Sequence, residues 1–255
     1  MKTPLRLLNN RASGFNAAIK LLPEDCDEFH FPFFSSGGLE LAICNEGKKI
    51  NGHTYWWCVQ EFWECLKNDP DRLIEIIKFT LKYEYFDERF FHYMQENFQT
   101  NIDVFVRSAQ FYVLNRCTED GQIFGGKFID TKYINELAYF NIKNLDLLNL
   151  SVDMHEGASS LKIIETLQSD NYIVATPPGF SYRLLPAAQV DTLLNPNIDH
   201  AELASQLSTK NRWMIICNYH KKLEEIYNNY NINYFNEYWK ESDPAAAKEM
   251  IIVKS

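Results

Sequence analysis

From Tyr55 onward, the apolar positions of the chain recur every three or four residues. Trp56, Val59, Phe62, Trp63 and Leu66 make one stripe, as a helix with a single buried face requires. Asn68-Asp69-Pro70 closes that helix and opens another, since proline is tolerated in a first helical turn but not deeper. Leu73, Ile76, Ile77 and Leu81 mark the buried side of the second helix. The same spacing predicts helices over 87–98, 102–116 and 131–140, with a glycine-containing loop at 118–128. Upstream, residues 29–34 read as a strand and Ser35-Ser36-Gly37-Gly38 as a turn of small residues. Leu39-Glu40-Leu41-Ala42 reads as the start of a helix, and 45–53 as a polar, glycine-bearing loop.

Past residue 140, short apolar runs alternate with helical segments. Strands are predicted near 140–142, 172–175, 213–217, 232–235 and 249–253, and helices over 160–168, 200–208 and 221–230. Such alternation implies a mostly parallel sheet with helical crossovers. The chain then divides into an α/β core (residues 1–54 and 141–255) and a helical insertion (residues 55–140). No internal repeat or low-complexity tract interrupts either part.

Composition narrows the function classes. A chain of 255 residues is ample for a sizeable core, and its 15% aromatic content argues against disorder. A net charge of -9 argues against strong non-specific DNA affinity, while leaving room for a local basic face. The six cysteines contain no C-x-x-C pair and fit reduced thiols better than a disulfide framework or a zinc site. The six histidines show no metal spacing, so no metal is expected. No apolar stretch approaches the ~20 residues of a membrane span. Residues 1–22, with Lys2, Arg6, Arg11 and Lys20, lack the continuous apolar core of a signal peptide. The expectation is a soluble, cytoplasmic protein with no membrane partner.

The candidate chemistry lies at Thr176-Pro177-Pro178-Gly179, directly after the apolar run Tyr172-Ile173-Val174-Ala175. The run reads as a buried strand, stopped by a rigid double-proline turn. Strands ending in Asp or Asn, then Pro-Pro, then Tyr or Phe carry the active site of amino-methylating DNA methyltransferases. There the acid or amide and a proline carbonyl accept hydrogen bonds from the exocyclic amine, and the aromatic ring stacks on the flipped base. The tetrapeptide resembles that signature, with Thr176 in place of the acid and Gly179 in place of the ring.

Further segments, in the right order from Pro4 to Val253, resemble the Dam-type N6-adenine DNA methyltransferase family. Pro4-Leu5-Arg6-Leu7-Leu8-Asn9-Asn10-Arg11 is similar to its first element, and Phe31-Pro32-Phe33-Phe34-Ser35-Ser36-Gly37-Gly38 to its cofactor turn. Phe62-Trp63-Glu64-Cys65-Leu66-Lys67-Asn68-Asp69-Pro70 resembles the helix after its acidic segment. Asn115-Arg116 with Gly121, Asn144-Leu145-Asp146 and Asp199-His200 match later elements. The resemblance implies a Rossmann-like, S-adenosylmethionine-dependent methyltransferase fold in which 55–140 is a target-recognition insertion. It implies that Phe33, Phe34, Gly37, Gly38 and Asp146 surround the cofactor, and that Asn115, Arg116 and Lys127 face DNA.

The departures from the family pattern point one way. Phe31 stands where an acid is expected, Ser35-Ser36 replace glycine, and the position for a ribose-binding carboxylate falls at or beside Thr54. Each lost charge-assisted hydrogen bond costs about 1.5–3 kcal/mol, so two losses weaken cofactor binding about 100-fold or more. With Thr176 and Gly179, this implies a pseudoenzyme that holds S-adenosylmethionine weakly or not at all. It would bind DNA, or scaffold an active methyltransferase subunit. The alternative is an active adenine methyltransferase with altered residues, drawing on Tyr182, Asp146 or Asp170. Plainer readings stand beside these: Thr176 closes a strand, Tyr182 packs on the scaffold, Arg116 favours a helix dipole, and Lys127 is a loop lysine. The cluster Tyr55-Trp56-Trp57 with Phe62-Trp63 reads as core before it reads as a base-stacking platform.

Overall fold

The computed structural model describes residues 3–6, 14–82, 86–118, 121–124, 126–177 and 198–254. Seven strands among them form one sheet: β1 (Glu28–Phe31), β2 (Lys49–Thr54), β3 (Leu150–Met154), β4 (Tyr172–Ala175), β5 (Trp213–Asn218), β6 (Asn231–Phe235) and β7 (Glu249–Lys254). Ten α-helices accompany them: α1 (Phe15–Lys20), α2 (Gly38–Cys44), α3 (Trp57–Asn68), α4 (Pro70–Leu81), α5 (Glu88–Asn97), α6 (Val104–Arg116), α7 (Glu136–Lys143), α8 (Ser160–Thr166), α9 (His200–Ser208) and α10 (Lys221–Ile226).

The strand order is β3-β2-β1-β4-β5-β7-β6. Neighbours from β3 to β5 run parallel, and β7 runs antiparallel to both β5 and β6. The result is a mixed α/β fold with a mostly parallel sheet, compatible with the Rossmann-like expectation. It departs from the simple doubly wound order 3-2-1-4-5-6 by slotting an antiparallel strand between the fifth and the sixth. The chain winds outward through β1, β2 and β3, then returns to lay β4 on the other side of β1. The crevice beyond the ends of β1 and β4 is therefore the topological switch point, where open α/β sheets place their ligands.

Burial explains which strands the sequence announces. All four residues of β4 are buried, as a central parallel strand covered on both faces must be, so it reads as a continuous apolar run. β2 was expected to be a loop because only one of its faces is apolar. Ile50 and Gly52 point into the core, while Asn51 lies on the other face, where it bonds Glu28. β3 likewise buries only Leu150 and Val152. The strand expected near 140–142 is instead the end of α7, whose start is fixed by the Asn135 side chain accepting from Ala138 N at 3.1 Å.

Helices α3 to α7 all lie between β2 and β3 in the chain. The starts of α4, α5 and α6 follow from acids at the N-caps: Asp69 accepts from Arg72 N (3.0 Å), Asp87 from Phe90 N (2.9 Å) and Asp103 from Phe105 N (2.8 Å). Val59, Phe62, Trp63 and Leu66 of the α3 stripe are buried as their spacing requires, while Trp56, at the N-cap, is half-buried; Phe62 stacks on Tyr112 at 5.8 Å. Phe62 and Trp63 belong to one core with Phe29, Phe31 and Ile50 of the sheet. Helices α3 to α6 thus share a core with one face of the sheet. A second core, with Leu161, Leu203, Trp213 and Tyr227, covers the other face.

Candidate functional site

The turn after β1 is built from its glycines. Gly37 has φ +71, a left-handed conformation that L side chains rarely adopt, and a Cβ there would lie 2.6 Å from Trp63. Trp63 also donates its Nε1–H to the Ser35 carbonyl at 3.2 Å. Phe34 N donates to His53 O (3.1 Å), and its ring lies so close to Gly52 that a Cβ there would be 2.5 Å away. Phe34 and Trp63 meet edge to face at 5.7 Å. The β2 side of the turn is thus filled by two aromatic rings. Thr54, where the ribose carboxylate was expected, is buried and accepts from Trp56 N at 3.1 Å, so its hydroxyl serves the entry to α3.

The β4 side is different. Ser35, Ser36, Gly38 and Glu40 line a cavity of about 40 Å³ together with Thr176 and Trp239. The structure therefore brings the expected cofactor turn and the start of the expected catalytic tetrapeptide to one place, at the switch point. Phe15, Leu39 and Ile216 supply apolar wall. Glu40 is only 5% exposed, and burial pushes its carboxyl up to about 7, partly offset by the backbone N–H groups of Glu40 and Leu39. Sequence reasoning saw Glu40 only as part of a helix start. The signal that could have found it is a carboxylate two residues after a Gly-Gly turn, in the first turn of a short buried helix.

The other expected site residues scatter. Phe33 is half-buried against the second core and Phe34 is in the first. Asp146 is exposed and accepts from Leu148 N at 3.1 Å, shaping the turn before β3. Asn115 is 0% exposed and clasps the N-terminal segment: it accepts from Arg6 N (2.7 Å) and donates to Arg6 O (2.6 Å) and Gly121 O (3.0 Å). Arg116 donates to Tyr133 O at 2.9 Å, and burial lowers its pKa. Lys127 is exposed. Thr176 is half-buried and Pro177 buried, while Pro178, Gly179 and Tyr182 lie outside the described residues.

Three histidines form a row on one face of the sheet. His30 Nδ1 meets His53 Nε2 at 3.1 Å, and His53 Nδ1 meets His155 Nε2 at 3.0 Å. Burial, then the neighbouring His30 and His155, push His53 down to about 4. Because His53 uses both ring nitrogens within the row, the three do not converge on one point. Among the described residues no group of His, Cys, Asp or Glu is arranged to hold a metal ion. No helix among them is long and apolar enough to cross a membrane. No protein-family model matches the chain, and no curated protein matches its sequence.

Proposed function

We propose that the chain is a degenerate homologue of the N6-adenine DNA methyltransferases: it keeps the scaffold, has lost methyl transfer, and serves as a binding or scaffolding subunit beside DNA or an active methyltransferase. The strand order carries this reading. A last strand running antiparallel between the fifth and sixth of an otherwise parallel sheet differs from the dinucleotide-binding order and is compatible with the Rossmann-like methyltransferase fold that the resemblance implies. The meeting of Ser36 and Gly38 with Thr176 in one cavity supports it further.

The loss of methyl transfer is supported by what stands where the chemistry needs charge. Phe31 is core, Thr54 bonds the backbone before α3, and Thr176 offers a neutral hydroxyl. A hydroxyl cannot supply the charged acceptor that polarises an amine in the transition state. Calorimetry with S-adenosylmethionine, followed by transfer of a tritiated methyl group to unmodified DNA, tests the reading. The expected result is no turnover; cofactor binding near micromolar affinity together with turnover defeats it. A gel shift at low salt and a pull-down with an active methyltransferase subunit then separate DNA from protein as the partner.

A second reading, a working methyltransferase with altered residues, is favoured by one observation: the buried Glu40 carboxyl in the same cavity. Turnover that disappears in Glu40→Gln would establish it in place of the first.

A further inference from the structure

Away from the switch point, one face of the sheet carries two polar rows that differ in kind. In the first, Ser151 Oγ donates to Asn51 Oδ1 at 2.9 Å and Asn51 Nδ2 donates to Glu28 Oε1 at 2.5 Å. Its direction is fixed, because a carboxylate can only accept. The second is the histidine row. In the parallel register His30 lies opposite Asn51 and His53 opposite Asp153. Each histidine thus stands two residues, one same-face step, beyond the residue opposite the last. The ring planes of His30 and His53 are 6° apart, with centroids 5.4 Å apart and nitrogens 3.1 Å apart. The centroids are as far apart as rings in such nitrogen contact can be, so the two lie end to end rather than face to face. His53 and His155 also meet through their nitrogens, at 3.0 Å with centroids 5.2 Å apart.

A neutral imidazole has one N–H and one bare nitrogen, so the direction of one ring dictates that of the next. The three rings have six nitrogens. Four meet in the two contacts, and the ends are His30 Nε2 and His155 Nδ1. A contact holds with one proton in it and parts with two, because two N–H groups then face each other. The neutral row has three protons, one in each contact and one at an end. One further proton fills the other end and leaves both contacts whole. The next has only a contact to enter. His30 Nε2 is buried, makes no hydrogen bond and lies 3.9 Å from Glu28 Oε1, which supplies a counter-charge at that end.

We propose that the row is a pH-sensitive latch: it takes up one proton as a unit with both contacts whole, and a second proton parts His155 from His53 and frees the segment after β3 from β2. His155 is the end that yields. It is half-buried and lies just past the edge strand β3, which pairs only with β2, and its backbone N–H donates to Thr54 O at 2.8 Å. Burial, as first cause, pushes both His30 and His53 down, His53 to about 4 with its two neighbours as further causes, so charge is kept off the centre of the row. The charges around the row are Glu28 on β1 and Asp153 on β3, 3.9 Å from His53 Nδ1, and both oppose the shift at His30. Lys49 shares this face of β2 but is exposed four residues back, and Glu156 after His155 is exposed too. Helix α8, packed against β2, buries Ser160, Leu161, Ile163 and Ile164 and leaves Lys162 and Glu165 exposed. On β4, Ile173 lies opposite His30.

The test is proton–nitrogen correlation spectroscopy of the full chain with labelled histidine, from pH 8 to pH 4, with hydrogen exchange read alongside. His30 and His155 are expected to move together at one midpoint, taking up one proton between them while His53 stays neutral. On the second proton, protection of the amides of 150–154 should fall at least about tenfold further than that of β4. His53→Leu removes the middle of the row. With one histidine fewer, His30 and His155 should then take up two protons where the parent chain takes one. Should that variant fail to fold, His155→Gln makes His53 an end, and its ring should share the charge with His30 at the first midpoint.

Independent titration of the three rings, charge on His53 ahead of both ends, no gain in proton uptake by folded His53→Leu, or β3 protection that falls no further than that of β4 each overturns the proposal. Methyl transfer to DNA would overturn the pseudoenzyme reading and leave this one standing.

Discussion

On the side facing β2, the turn after β1 is packed shut: Phe34 lies on Gly52, Trp63 covers Gly37, and the Thr54 hydroxyl is occupied by the backbone before α3. On the side facing β4, the same turn borders a cavity in which Glu40, Ser36 and Thr176 have no side-chain partners among the described residues. The contrast is between a face closed by aromatic packing and a face left open by short polar side chains. Where aromatic rings fill the space, as at Phe34 and Trp63, packing stabilises the fold and leaves no room for a ligand. Where short polar side chains line the space, as at Ser36 and Thr176, a cavity remains.

The filled side gives the largest expected effect. Trp63 is 2% exposed and touches both Phe34 and Phe62. Trp63→Ala should therefore cost about 3–5 kcal/mol, by lost burial and the cavity left behind. Urea denaturation measures it directly. A loss below about 1 kcal/mol would mean that the β2 side is not sealed by this ring, and the comparison would break.

On the open side the second effect is set by pH. The Glu40 pKa is raised from 4.5 to about 7. Its contribution to stability is thus complete below about pH 4.5 and is lost as pH rises through 7. His53 and His200 are displaced the other way, from 6.5 to about 4, burial being the first cause in each. Their contribution is complete above pH 6.5 and is lost as pH falls towards 4. The two trends oppose each other across the same window. Glu40→Gln should raise stability by about 3 kcal/mol at pH 8 and change little at pH 4, as read by denaturation at both pH values. Equal effects at the two pH values would remove Glu40 from the buried, ionisable role assigned to it.

These two sides were unequally legible in the sequence. The stripe of α3, the Asp69-Pro70 start of α4, the bounds of α9 and the buried run of β4 were all readable, because each follows from local periodicity, a cap or full burial. β2 and β3 were not, since half of each faces a polar row in which His30, His53 and His155 bond one another. A strand with one polar face and a glycine against an aromatic ring looks like a loop until its partner is known. Thr176 was picked out by its prolines. Glu40 was not, because a carboxylate in a first helical turn is ordinary, and only the fold shows that this turn is buried. Nor did the spacing of Asn115 and Arg6 announce that one clasps the backbone of the other across 109 residues of sequence.

Thr176→Asp sharpens the comparison with a smaller effect. It restores the acid of the methyltransferase signature on the open side only. Two carboxyls in one small cavity cannot both ionise freely, so the variant should lose about 1–2 kcal/mol at pH 8 and little at pH 5, by denaturation. It should not gain methyl transfer, because Phe31 and Thr54 on the other positions still lack charge. Tritium incorporation into DNA by this variant would show that the tetrapeptide alone silences the chain and that the filled side is incidental.

The smallest effects come from two hydroxyls on opposite sides of the turn. Thr54 is 3% exposed and its oxygen accepts from Trp56 N; Ser36 is 8% exposed and its hydroxyl makes no hydrogen bond among the described residues. Burial is similar, so any difference between them isolates pairing. Thr54→Ala removes a made hydrogen bond and strands a backbone donor, which should cost about 1 kcal/mol. Ser36→Ala removes an oxygen that bonds nothing within the chain, so stability should change by less than about 0.5 kcal/mol. Thermal unfolding of both variants reads this directly. If the two variants lose equal stability, pairing does not distinguish the two hydroxyls, and the two sides of the turn differ only in how completely each is filled.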